Sequence, residues 1–180
     1  MSYTLDVLDA NVFTVLGNFI ASVTGLAPGQ VVRVPNNRVP MPKTYPFVTM
    51  SPVFQEMIHR PVASVSDPLV QPQSATLSQA IRYQIQVDAF GPTAGDVMQQ
   101  IHGVFESPDA FDFFAGQAIQ GVYPIYANSP HQAPLVDAED EYEIRWIMDI
   151  SLQYNPSLTT SVQTASTVTV GAINVEASYH

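Results

Sequence analysis

The densest cluster of chemically able side chains is "DAEDEYE", which places Asp137, Glu139, Asp140, Glu141 and Glu143 within one short stretch. Carboxylates this close can hold a hard cation or move a proton. A calcium loop of the EF-hand kind also needs its ligand spacing and a glycine at the sharp turn, and both are missing here. The stretch runs into a strand pattern, where successive side chains point to opposite faces, so the five acids do not converge on one point. The first reading is therefore a solvated acidic surface and the second a functional electrostatic one. A metal-assisted hydrolase built on Glu139, Asp140 and Glu141 is a third, and it would need further ligands from elsewhere in the chain.

Little else in the chain suggests catalysis. His59, His102, His131 and His180 are scattered without ligand spacing. There is no GxSxG, P-loop, GxGxxG or HExxH pattern. With no cysteine, disulfide scaffolds, thiolate metal sites and cysteine nucleophiles drop out together, and the chain suits a reducing cytoplasm. Tyr126 and Tyr142 could form an aromatic platform for sugars or bases, but packing explains them more economically. The sequence therefore predicts no enzyme, no catalytic residue, no metal and no cofactor.

Charge narrows the partners. Six Lys+Arg stand against 16 Asp+Glu, a net of -10, and such a surface repels nucleic-acid phosphates. Sequence-specific nucleic-acid binding is not expected, although DNA could pass such a protein without adhering. No basic n-region or cleavage-like site marks a secretory signal. The apolar stretch 12–27 is interrupted by Thr14, Gly17, Asn18, Ser22, Thr24 and Gly25, too often for a spanning helix. A soluble protein without a membrane partner is expected.

The elements that must position these residues follow from periodicity. Leu5, Leu8, Val12, Val15, Leu16, Phe19, Ile20 and Val23 recur at helical steps, with Gly25 as a stop. Residues 28–72 hold nine of the 15 prolines and read as extended loops, with short strands at 31–34 and 46–53 expected on sheet edges. A long strand is predicted over 77–90, with Tyr83, Ile85, Val87 and Ala89 facing the core. Gln84 and Gln86 lie on its other face. Gly91-Pro92 ends it, and Thr93 is placed to cap a helix carrying Val97, Met98, Ile101, Val104 and Phe105. Ser107-Pro108 opens a short helix expected to pack Phe111 and Phe114. After a strand at 118–126, the even positions from Tyr142 to Tyr154 are apolar, which makes a strand of unusual length paired with 77–90. The result is an α+β fold with a mixed or antiparallel sheet of long strands flanked by helices. Residues 1–155 read as one domain and 156–180 as a strand-like arm, in which Val168, Val170, Ile173 and Val175 lack a hydrophobic partner.

Three segments carry a resemblance: "YQIQVDAFGPTAGDVMQQI", "PIYANSPHQAPLVDAEDEYEIRWIMDISLQYNP" and "VGAINVEASYH". In this order they resemble the neck or tail terminator proteins of tailed bacteriophages, over about residues 76–180. The resemblance implies a virion structural protein of the tail or neck, made in the bacterial host cytoplasm. It implies a ring, usually sixfold, that ends the tail tube and joins it to the head-proximal connector, with the sheath as a further partner if the tail contracts. DNA would pass through the ring. A tail-tube or head-completion subunit is the near alternative, and a carbohydrate-binding module of a phage or cell-surface protein a more distant one. On this reading Asp137, Glu139, Asp140, Glu141 and Glu143 face the lumen or its rim. Gln84, Gln86, Val168, Val170, Ile173 and Val175 meet a neighbouring subunit or partner.

Overall fold

Alternation along residues 81–90 and 145–154 sets the centre of the molecule. The computed structural model describes residues 4–6, 9–27, 29–34, 42–66, 73–133, 135–136 and 142–162. In chain order the elements are β1 (Thr4–Leu5), α1 (Asp9–Thr24), β2 (Val31–Arg33), β3 (Phe47–Met57), β4 (Val62–Ser66), β5 (Gln73–Ser78) and β6 (Ile81–Phe90). They continue as α2 (Ala94–Phe105), α3 (Pro108–Ala115), β7 (Val122–Ala127), β8 (His131–Gln132), β9 (Leu135–Val136), β10 (Tyr142–Glu143), β11 (Arg145–Tyr154) and β12 (Ser157–Val162). The fold is α+β.

The larger sheet has the order β2-β3-β6-β11-β7, with β8 also pairing β11. β6 and β11 are antiparallel neighbours in unbroken register from Arg145↔Phe90 to Tyr154↔Ile81. This register puts Tyr83, Ile85, Val87 and Ala89 on the same face as Met148, Ile150, Leu152 and Tyr154, and all eight are buried. Removing each large aliphatic side chain from water contributes roughly 2 kcal/mol. The helices cover this face with Val12, Val15, Leu16, Phe19, Ile20, Met98, Ile101, Phe105 and Phe114, which share one apolar core with the strands.

Tertiary context moves several predicted boundaries. Leu5 was expected in the first helix, yet α1 starts at Asp9 and Thr4–Leu5 pair with β12 instead. Cross-strand pairing of Leu5 with Leu158 outweighs its helical spacing. The proline-bearing β3 is not an edge strand, since it pairs β2 on one side and β6 on the other. β2 reaches only Met50, so among the described residues Pro52 lies where that flank is unpaired, beside a register shift between Pro52 and Phe54. Thr93 and Ser107 stand at the helix starts but neither side chain makes a capping bond, and Ser107 Oγ donates to Val104 O instead. Phe114 is buried as expected, whereas Phe111 is 55% exposed and stacks on Tyr123. The core side of α3 is taken by Ala110, Phe113 and Phe114.

The turn from β6 into α2 depends on Gly91, whose φ of +107° suits glycine and whose missing Cβ leaves room for the Tyr45 ring. At Gly95 an added Cβ would lie 3.0 Å from Trp146 Cε2, while at Gly103 nothing stands within 4 Å. Both glycines are inside α2, where alanine is normally favoured by about 1 kcal/mol. Gly103→Ala should therefore stabilise the protein by up to about 1 kcal/mol. Gly95→Ala should fall short of it by about 1 kcal/mol or more, because Trp146 must move. Urea midpoints of the two variants test this, and equal gains would show that α2 does not press on Trp146.

Candidate assembly surface

The second face of the larger sheet carries no helix among the described residues, and its polar side chains hold one another. Asp88 is 3% exposed. Arg145 donates to its Oδ1 from Nε at 3.1 Å and from Nη2 at 2.8 Å. Gln86 Nε2 donates to the same carboxylate at 3.0 and 3.1 Å. The Gln84 amide donates to Asp149 Oδ2 at 3.1 Å, and Asn128 Oδ1 accepts from the Asp149 backbone N–H at 2.7 Å. Gln84 and Gln86 thus supply uncharged donors to two carboxylates in a chain short of Lys and Arg. A buried carboxylate needs such partners to remain buried. One end of this face is aromatic: Tyr45 stacks on Phe47, which stacks on Phe90, and Tyr45 Oη donates to Glu143 Oε1 at 2.6 Å.

The smaller sheet is different. Its order is β1-β12-β5-β4, and its outer strand β4 pairs only β5 among the described residues. Register aligns Ala63, Leu77, Leu158 and Leu5 in one row and Val65, Ala75 and Thr160 in the next, on one face. The other face is mainly Ser and Thr, with Ser64, Thr76, Ser78, Ser157, Thr159 and Ser161. Thr76 and Thr159 are in contact there through their hydroxyls at 3.3 Å. No described helix packs on the apolar face. Leu5 is 42%, Val65 65% and Leu158 38% exposed.

Where the two sheets meet, this apolar face continues into a groove of about 320 Å³ lined by Leu5, Pro61, Leu77, Ile81, Pro156 and Leu158. Asp9, Gln55 and Tyr154 form its polar edge. That edge is fixed. Tyr83 Oη donates to Asp9 Oδ1 at 2.6 Å, Arg33 pairs with Asp9 at 2.5 Å, and Tyr154 Oη donates to Gln55 Oε1 at 3.2 Å. Arg33 also lies over the Phe13 ring at 3.9 Å. Burial first, and then the bond to Asp9, push the Tyr83 phenol up to about 12. Burial and the Asp9 charge also raise Tyr154.

Of the residues that sequence reasoning singled out, Gln84, Gln86 and Glu143 are described, and each is engaged within the chain. Asp137, Glu139, Asp140 and Glu141 lie outside the described residues, as do Val168, Val170, Ile173 and Val175. Among the described residues no three His, Asp or Glu side chains are grouped to hold a metal. His131 is exposed on β8 and His102 half-buried on α2. The exposed apolar sheet face was missed because its strands are short and rich in Ser and Thr. The alternation of Ala63 and Val65, Ala75 and Leu77 was the available signal.

The family model for phage neck terminator proteins matches residues 10–179, nearly the whole chain. The chain belongs to that family. No curated protein matches it. The neck terminator is a bacteriophage structural protein of the virion neck and tail region, and its surfaces have other head and tail proteins as neighbours. No described helix is long and apolar enough to cross a membrane.

The raised Tyr83 phenol ties stability to pH. An unfolded tyrosine ionises near 10, before the folded one does, so the contribution is full below pH 10 and is lost as pH rises to about 12. The stability difference between the native chain and Tyr83→Phe should shrink across that window. Urea unfolding at pH 9 and 11.5 measures it, and a constant difference would mean that the phenol is not held neutral by its site.

Proposed function

We propose that this neck terminator closes into a ring, sixfold as the family resemblance implies, which caps the tail tube and joins it to the head-proximal connector. The observation that carries the reading is the smaller sheet. Among the described residues no helix covers its apolar face, Leu5, Val65 and Leu158 are exposed on it, and the outer edge of β4 is unpaired. Such a surface favours association. A heterologous contact of this kind, repeated around an axis, closes a ring when the rotation allows. The sheath is a further partner if the tail contracts.

DNA passage fits the electrostatics. With a net of -10 the chain offers few cations to capture phosphates. Asp137, Glu139, Asp140, Glu141 and Glu143 are proposed for the lumen or its rim, with Gln84 and Gln86 on a wet or subunit-facing surface. Replacing the five acids with lysine should slow DNA ejection and lower infectivity. Unchanged infectivity would place these acids away from the DNA path.

Mass and shape in solution, with and without purified tail tubes, test the ring. The expected outcome is one six-copy ring at one end of each tube. A chain that remains monomeric with tubes present, or that polymerises into tubes itself, would overturn the reading.

A further inference from the structure

Resting on the ring reading above, the geometry points to a specific occupant of the groove between the two sheets: the segment 166–175 of an adjacent copy of this chain. Three observations converge on it.

The first is the groove itself. It is apolar and joins an exposed apolar sheet face, with Leu5 and Leu158 from two paired strands on its wall. A β-type segment with alternate apolar residues suits such a surface, because its side chains can enter on one face while the other stays wet. "STVTVGA" has that character, with Val168, Val170 and Ala172 in one phase of the alternation and Thr167 and Thr169 in the other, while Ile173 and Val175 fall in the opposite phase.

The second is charge. β4, β5 and β12 contain no charged residue, and residues 163–175 contain none either. In a chain of net -10 with few cations to pair across an interface, neutral surfaces let two copies approach at low electrostatic cost. These are two such stretches. The one acid lining the groove, Asp9, is already paired with Arg33.

The third is direction. β12 starts beside the groove at Ser157 and Leu158 and ends at Val162, opposite Gln73 at the far end of β5. The chain therefore leaves the smaller sheet heading away from its own groove. This direction of β12 is the reason for assigning the groove to an adjacent copy's segment and not to the same subunit's.

The absence of native cysteine makes the test clean. Leu158→Cys is mixed with each of Val168→Cys, Val170→Cys and Ile173→Cys, assembled on tail tubes and mildly oxidised. Circular dichroism first checks that each variant folds. Covalent heterodimers should form at one or more positions, at least tenfold above the level in unassembled protein. Rings that assemble without any heterodimer would overturn this assignment and leave the ring reading standing. An intrachain disulfide in the free Leu158→Cys/Val170→Cys chain would overturn it in favour of the same subunit's segment. Failure to form rings at all, read by mass, would remove the ring reading and this inference with it.

Discussion

The strands of this protein are longer than the helices that cover them, and most of the structure follows from that mismatch. From Arg145 to Val162 the chain is extended except at Asn155-Pro156, about 60 Å of contour at the usual rise of a strand. The longest helix, α1, has 16 residues and so spans about 24 Å. The helices therefore seal one face of β6 and β11 into a dry core, and the same strands continue past their cover as β5 and β12. β5 and β12 pair with each other along this extension, but among the described residues its side chains are only partly buried. In a chain of net -10, β4, β5 and β12 carry no charge, and the proposed contact between copies falls there.

The uncovered face of the larger sheet manages the same problem by other means. It has few cations available, so the Gln86 amide joins Arg145 in donating to Asp88, and the Gln84 and Asn128 amides donate to Asp149. Hydrogen bonds of this kind within a sheet face fix side chains in place and keep carboxylates from competing for solvent. The groove edge is held in the same way by Asp9, which joins α1 to β6 through Tyr83 and to β2 through Arg33. The surfaces available to partners are thus pre-set by contacts within the chain, which lowers the ordering cost of assembly.

The central pairing was legible because Ile85 and Val87, and Met148 and Ile150, repeat at period two over a length that local noise does not erase. The α1 stripe was legible for the same reason at its own period. A two-residue strand such as β1 has no period to read, so Leu5 was assigned to the helix it precedes. Pro52 pointed to an edge, and that held only locally, because β2 is too short to reach it. The polar network was partly readable: Gln84, Gln86 and Asp88 share a face at two-residue steps. Their link to Asp149 depends on a register that one sequence does not specify.

Hydrogen exchange of the free chain against the chain assembled on tail tubes tests most directly whether the smaller sheet is the contact between copies. The account predicts that amides of β4, β5 and β12 exchange at least tenfold more slowly after assembly, while those of β6 and the core side of β11 are unchanged. New protection confined to the outer strands β2 and β7, with β4, β5 and β12 unchanged, would contradict it.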